Sequence, residues 1–96
     1  MLDRLEATSM LLSVVDRGGF SAASRDRGVP LATVSRKVNE LEKRLGTQLL
    51  VRTTRRVALT DAGARYVASA RRILDEIDET ERIAAGEFHA PRGELL

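Results

Sequence analysis

The residues best suited to chemistry lie between positions 30 and 56, where hydroxyl, amide and basic side chains follow one another closely. Thr33, Ser35 and Arg36 stand near the start of one predicted helix, and Arg55 and Arg56 stand in a predicted hairpin turn. A guanidinium group can donate two hydrogen bonds to a guanine edge or bind a phosphate, and hydroxyl groups can donate to either. These residue types therefore point to recognition of a nucleic acid.

The formal charge of the chain is strongly segregated along the sequence. Residues 17–59 carry ten Lys or Arg against three acids, a formal charge of +7, while both flanks are acidic and the total is +2. A concentrated basic block of this kind favours a polyanionic partner.

Composition argues against several other classes of protein. The chain has no cysteine and a single histidine, His89, so neither a thiolate metal site nor a histidine cluster can form, and no cofactor is expected in this chain. There is no Gly-rich phosphate loop and no carboxylate pair set against a base, so an enzyme is not expected. No apolar run approaches the roughly 20 residues that span a bilayer, so no membrane partner and a cytoplasmic location are expected.

The elements that must position the basic residues begin with two helices. A first helix over 2–16 is predicted from an apolar stripe that comprises Leu2, Leu5, Leu12 and Val15. Gly18-Gly19 should end it, because glycine adopts the left-handed geometry of a C-terminal cap without strain. A short second helix then follows, with Ser21 as its N-cap, to about residue 27, before Gly28.

The third helix and a wing complete the predicted head. The third helix should run from about Pro30 to Gly46 and bury a stripe that comprises Val34, Val38, Leu41 and Leu45. Two β-prone runs, around Val51 and over 57–59, predict a two-stranded hairpin joined by residues 52–56.

A long final helix is predicted after Thr60-Asp61, which should cap it. Its apolar residues recur at steps of four and three, close to the 3.5-residue period of a coiled coil, and its opposite face is too charged to bury. This pattern predicts that the helix pairs with a second copy or, alternatively, docks on another protein or a membrane surface. The predicted dimerisation residues are Tyr66, Ala70, Ile73, Leu74, Ile77, Thr80 and Ala84.

The central stretch resembles the N-terminal domain of LysR-type transcriptional regulators. The matching pattern is aromatic-S-x-A-A, then G-V, then V-S-R-x-V-x-x-L-E-x-x-L-G, then L-x-R-T-x-R-x-x-x-L-T-x-A-G, in register over about 45 residues. The run PLATVSRKV is similar to the branch that contains the CrgA-type regulators. Several separate elements with correct spacing are more specific than one short motif.

The resemblance implies a mainly α, winged helix-turn-helix fold that is followed by a long dimerisation helix. It implies a homodimer on a dyad-symmetric double-stranded DNA site, with the third helix in the major groove, and it allows a tetramer in a full-length protein. The expected divisions are a DNA-binding domain over 1–60, a dimerisation helix over 61–88 and the start of a hinge over 89–96. A small-molecule effector is implied only for a C-terminal domain that this chain lacks.

The resemblance also carries residue roles onto matching positions. Bases are expected to meet the start of the third helix, with Arg36 as the strongest candidate for either a base or a phosphate. Three further residues of that helix are expected either to bind phosphate or to face water; these are Lys37, Asn39 and Lys43. Arg52 is expected either to contact DNA or to brace the wing. The predicted DNA-contacting residues are Ser21, Leu31, Ala32, Thr33, Ser35, Arg36, Lys37, Asn39, Lys43, Arg52, Thr53, Arg55 and Arg56.

Three positions depart from the family pattern. Pro30 and Leu31 stand where most members have a serine and a base-reading glutamine, and Leu31 can offer DNA apolar contact alone. Arg27 replaces a usual core leucine, so either its stem lies along the core with the charge outside, which we favour, or the second helix is looser.

Overall fold

The computed structural model describes residues 3–53 and 56–86. These form α1 (Arg4–Arg17), α2 (Phe20–Arg27), α3 (Leu31–Leu45), β1 (Leu50–Arg52), β2 (Val57–Leu59) and α4 (Asp61–Ala84). The predicted mainly α, winged helix-turn-helix with a long final helix is therefore confirmed. Predictions for Leu2, Arg55, His89 and the hinge over 89–96 lie outside the described residues.

α1 is the central helix of the head and packs against α2, α3, α4 and β2. Its buried face consists of Ala7, Met10, Leu11 and Val14, all at most 1% exposed. The predicted stripe was therefore wrong about which face of α1 forms the core, because Leu5 is 51% exposed and Leu12 and Val15 are half-buried. α1 carries apolar residues on two sides, and the packing of the neighbouring elements, which the local pattern does not encode, selects between them.

The ends of α1 and α2 follow from capping residues. Asp3 Oδ1 accepts hydrogen bonds from the backbone N–H groups of Leu5 and Glu6, and Gly18 ends α1 at a φ of 90°. The prediction that Ser21 caps α2 was wrong, since the helix begins at Phe20 and its cap residue is Gly19. Phe20 is half-buried against the core, and with this packing the cap lies two residues earlier in the chain than predicted.

α3 has the predicted length and, with one exception, the predicted buried side. Pro30 is its N-cap residue and Gly46 its C-cap, and Val34, Val38 and Leu41 are fully buried. Leu45 was wrongly assigned to the buried stripe, because it is 41% exposed at the last position before the chain turns away at Gly46.

The wing is an antiparallel pair with Leu50 opposite Leu59 and Arg52 opposite Val57, as the hairpin prediction required. Thr60 links the wing to α4, because its hydroxyl accepts from the Gly63 N–H and donates to the Gln48 carbonyl. Gly63 is buried in the first turn of α4, and a Cβ there would collide with the carbonyl of Leu49. The absence of a side chain therefore lets α4 pass close beside the chain entering the wing.

α4 begins within the head and continues beyond the core. Val67 and Ala70 are buried, whereas the helix from Arg71 onward is half-buried at most. At this transition Arg71 donates two hydrogen bonds to the Asp16 carboxylate of α1. The hydrogen bonds from Arg71 hold the pKa of Asp16 below its usual value, although burial acts in the opposite direction.

Candidate nucleic-acid interface

The side of α3 that faces away from the core carries a straight row of residues at steps of four, three and four. We call this row the outer stripe; it consists of Ala32, Arg36, Asn39 and Lys43, all exposed. With Ser35 and Glu40 on its flanks, the stripe lines a shallow, open depression. A helical period of 3.6 residues places the stripe opposite the buried residues of α3, so packing the core presents it to solvent.

Arg36 lies in this stripe and is exposed. Its guanidinium makes no hydrogen bond or ion pair with any described residue, and the same holds for the ammonium group of Lys43 near the C-terminal end of α3. Because no acid holds it in place, the Arg36 guanidinium can donate its paired N–H groups to an external acceptor.

The N-terminus of α3 is also open to an external acceptor. Pro30 supplies no side-chain cap, and the first turn contains no acid. The N–H groups of Thr33 and Val34 reach back to the Pro30 carbonyl, but those of Leu31 and Ala32 make no hydrogen bond within the described part of the chain. Leu31 is 47% exposed at this end. Backbone donors and the positive end of the helix dipole together suit an anion such as a phosphate.

Lys37 differs from the other basic residues of α3. Its ammonium group lies 2.9 Å from Glu6 of α1, and its side chain is only 20% exposed. This contact ties α3 to α1, so the ammonium is less available for the predicted phosphate contact than Lys43 is.

The base of the wing is held by a cluster of side chains, which we call the wing brace. Its central member is Arg52, whose guanidinium carbon lies 4.5 Å from the centre of the Phe20 ring. Arg52 Nη2 donates to Asn39 Oδ1 at 2.7 Å and lies 3.7 Å from Glu42 Oε1. Of the two roles that the sequence left open for Arg52, these contacts favour bracing.

Glu42 is a structural residue of the wing brace that the sequence analysis did not predict. Its Oε2 accepts hydrogen bonds from the N–H groups of Leu49 at 2.8 Å and Leu50 at 3.0 Å, and its side chain is 16% exposed. The carboxylate thereby fixes the start of β1 to α3. The L-E step of the pattern contained a signal, because an acid beside a buried leucine near the end of a helix needs a nearby donor.

The remaining predicted DNA-contacting residues are divided between the wing and the two helices. The Thr53 hydroxyl donates to the Arg56 carbonyl and accepts from the Arg56 N–H, so it organises the hairpin end. Arg56 is exposed, and the prediction for Arg55 lies outside the described residues. Ser21 is exposed in the first turn of α2, and Thr33 and Ser35 are half-buried.

The predicted dimerisation residues also fall into two groups. Tyr66 and Ala70 pack within the chain, since the Tyr66 hydroxyl hydrogen bonds to Thr8 Oγ1 at 2.7 Å and Ala70 is 6% exposed. The others lie on the part of α4 that extends from the core, where Ile73 is 53% exposed. The members of this second group are Ile73, Leu74, Ile77, Thr80 and Ala84.

Within residues 3–53 and 56–86, no group of three or more His, Asp or Glu side chains is arranged to hold a metal ion. In the same part of the chain, none of the helices combines the length and apolar character needed to cross a membrane.

Comparison with known proteins identifies relatives over nearly the whole chain. The family model described as a bacterial regulatory helix-turn-helix protein of the lysR family matches residues 5–64. An HTH-type transcriptional regulator of Xanthomonas campestris pv. campestris is 47% identical over 99% of this chain and 28% of its own length. The regulator CrgA of Neisseria meningitidis is 42% identical over 94% of this chain and 30% of its own.

The fold has solved counterparts as well. The crystal structure of the BenM DNA-binding domain in complex with catB site 1 DNA aligns with a TM-score of 0.80 at 31% identity, covering 91% of this chain and 98% of that one. The chain spans less than a third of the length of the curated relatives it matches. The relatives quoted are named as regulators, in agreement with the prediction of a non-enzymatic protein.

Proposed function

This chain belongs to the LysR family of bacterial regulatory helix-turn-helix proteins, and on that premise we propose that it is half of a dimeric, sequence-specific reader of double-stranded DNA. α3 enters the major groove, and the wing lies at the adjacent minor groove or backbone. The chain carries no chemistry of its own, so its activity is differential binding of one DNA sequence over others.

The observation that carries this proposal is the exposed Arg36 in the outer stripe of α3, whose guanidinium has no partner among the described residues. An α-helix fits the major groove, and an arginine on its outer side can donate both N–H groups to the O6 and N7 of guanine. Thr33, Ser35 and Ala32 are proposed to complete the contacts to bases at the start of the helix. Lys43 and the open N-terminus of α3 are proposed to bind phosphate, which fixes the register of the helix in the groove.

Dimerisation is proposed to occur through the distal half of α4. Its exposed isoleucines would remain in water in a single copy, and burying them against the same helix of a second copy is favourable. A two-fold dimer presents two copies of α3 to the DNA, so the preferred site is dyad-symmetric with equivalent half-sites.

Further properties belong to the longer proteins that this chain matches in part. We propose that the protein acts in the cytoplasm, and that tetramer formation and the binding of a small-molecule effector depend on a C-terminal domain outside this sequence. Family membership supports these proposals, which do not depend on the outer stripe or the wing brace.

Selection of bound sites from a random double-stranded DNA pool tests the function directly. We expect enrichment of a dyad-symmetric site, and an affinity whose logarithm falls with the logarithm of salt concentration at about −0.9 per phosphate contacted. Failure to enrich any site, or no measurable binding at about 50 mM salt, would contradict the proposal. Anionic lipid vesicles in the same buffer provide the comparison for a membrane-surface module, which would bind the vesicles instead.

A further inference from the structure

The hydrogen bond between Arg52 and Asn39 fixes which end of the Asn39 amide faces away from the protein. Arg52 Nη2 lies 2.7 Å from Asn39 Oδ1. A guanidinium group has five N–H donors and no acceptor, so the amide oxygen can face it but the amide nitrogen cannot. A flipped amide would place its NH2 group against the N–H groups of Arg52, so that donor would face donor. The chemistry of the pair therefore determines the orientation of the Asn39 amide.

We propose that Arg52 is a positioning residue that turns Asn39 into a donor-only reader of the DNA bases. The inference rests on the proposed function and deepens it, because it assigns a base-reading role to a residue that the sequence offered as a phosphate contact or a solvated side chain. Asn39 is exposed on the outer stripe, and its Nδ2 has no hydrogen-bond partner among the residues described.

The guanidinium that sets this orientation makes two further contacts. It stacks on the Phe20 ring at 4.5 Å, and Glu42 lies beside it at 3.7 Å. The other carboxylate oxygen of Glu42 is bound to the N–H groups of Leu49 and Leu50. A cation held against an aromatic face and a fixed carboxylate loses little further freedom when it donates to Asn39.

The orientation has a consequence for base choice. An unconstrained asparagine reads adenine by accepting from N6 with its oxygen and donating to N7 with its nitrogen. Here the oxygen is already engaged with Arg52, so the amide presents its N–H groups. These suit edges that accept hydrogen bonds, namely guanine N7 and O6 or thymine O4. Adenine has the acceptor N7 beside an N6 amino group that opposes them, and cytosine presents only the opposing N4 amino group.

Asn39 is placed for a base edge and not for the DNA backbone. It lies between Arg36 and Lys43 on the side of α3 opposite the core, whereas Arg44 lies on a flank of the helix. The centre of a helix surface in the major groove meets base edges, and its flanks meet the phosphates.

Two substitutions at Asn39 test the donor. Asn39→Asp keeps an acceptor for Arg52 but presents an oxygen to the DNA, while Asn39→Ala removes the donor without adding charge. We expect each variant to lower the ratio of affinities for the selected site and a scrambled site by about tenfold. Asn39→Asp should also shift repeat selection toward cytosine at one position of each half-site. An unchanged ratio in Asn39→Ala, or an equal loss on all sequences, would assign Asn39 to solvent or phosphate and overturn the proposal.

Arg52→Met tests the positioning role. Methionine retains an apolar stem over Phe20 but has no donor, so the amide becomes free to accept as well as donate. Repeat selection should then enrich adenine at the Asn39 position, with the other positions unchanged. The parental base profile in a folded Arg52→Met variant would refute the role of Arg52. Should thermal unfolding show that this variant does not fold, the two Asn39 variants decide, since Asn39→Asp preserves the pair with Arg52.

Failure of this inference is distinguishable from failure of the proposed function. If the parent protein selects a dyad-symmetric site and the Asn39 variants retain its full base profile, the proposed function stands, but the proposal that Asn39 contacts a base as a donor is refuted. If the parent selects no site, the proposed function fails, and the inference fails with it.

Discussion

Two helical faces of this molecule are left uncovered, and they have opposite chemistry. The outer stripe of α3 is polar and basic, with Arg36 and Lys43 free of partners among the described residues. The distal face of α4 is apolar, with Ile73 53% exposed and Ile77 half-buried. Both faces lie opposite or beyond a well-packed core, so the fold itself does not require either of them to be covered.

The two faces differ in the free energy of their exposure to water. A hydrated arginine is stable in solution, so an uncovered outer stripe does not destabilise the fold. An apolar stripe in water is unfavourable in proportion to its area, so the α4 face gains stability when a second copy covers it. The comparison predicts that changes on the apolar face of α4 act on assembly first, whereas changes at Arg36 and Lys43 act on binding alone.

The largest effect is expected when the apolar face of α4 is made acidic. Ile73→Glu combined with Ile77→Glu would place charges in the dimer contact, so the protein should become monomeric. Affinity for the selected palindromic site should then fall by about a hundredfold or more, because the two readers no longer bind together. Analytical ultracentrifugation measures the association, and a DNA titration measures the affinity.

A charge-matched control separates assembly from simple repulsion by DNA. Ala68→Glu with Arg72→Gln changes the formal charge by the same amount on exposed positions across α4 from the isoleucines. This control should remain dimeric. A double-glutamate variant that also stays dimeric and binds the palindrome normally would show that the α4 face is not the dimer contact.

The next largest effect is expected where the first turn of α4 passes the chain between α3 and the wing. Gly63→Ala would place a methyl group against the Leu49 carbonyl, so either α4 or the entry to the wing must move. Overpacking against backbone should reduce the free energy of unfolding by about 3 kcal/mol, measured by urea denaturation. Gly19→Ala is the matched control, because a Cβ there meets nothing within 4 Å and its backbone is extended. Equal stability of the two variants would mean that α4 tolerates displacement from the wing.

A smaller effect, restricted to binding, is expected on α3. Arg36→Ala should weaken binding to the selected site by about 1–3 kcal/mol and relax the base preference at one position of each half-site. Its unfolding curve should match the parent, since Arg36 contacts no described side chain through an ion pair or hydrogen bond. Arg44→Ala removes the same charge from the flank of α3 and serves as the control. If both variants lose the same affinity on every DNA sequence, Arg36 contacts phosphate.

Much of the fold could be predicted from the sequence because its signals are local. Gly18, Gly28 and Gly46 end the first three helices where the sequence predicted these helices to end, and all three adopt the left-handed conformation. The face of α1 and the start of α2 were not predictable in this way. Both depend on which neighbours pack against Leu5 and Phe20, and that information lies in distant parts of the chain.

The candidate site was predictable in its location but not in its internal contacts. The sequence placed basic residues on α3 and the wing, and their helical spacing is sufficient to assign Arg36 to the exposed side. It could not indicate that Lys37 is paired with Glu6, or that Arg52, Asn39 and Glu42 form one cluster. Those pairs join residues 10 to 31 positions apart, and charge patterning along one helix contains no information about them.

The smallest predicted effect lies at the point where α4 leaves the head. Arg71 lowers the pKa of Asp16, so this pair adds stability above about pH 3.8 and loses it as the pH falls through the lower pKa of the folded state. Asp16→Asn should therefore unfold more easily than the parent at neutral pH, and the difference should shrink in acid. Both side chains are more than two-fifths exposed, so the difference should be a few tenths of a kcal/mol and should decrease with salt. Glu79→Gln is the charge-matched control, because it removes an exposed acid that has no ion pair among the described residues. A pH-independent difference for Asp16→Asn would mean that the pair does not fasten α4 to α1, and that the close packing at Gly63 and the contacts of Tyr66 and Val67 hold the helix on the head.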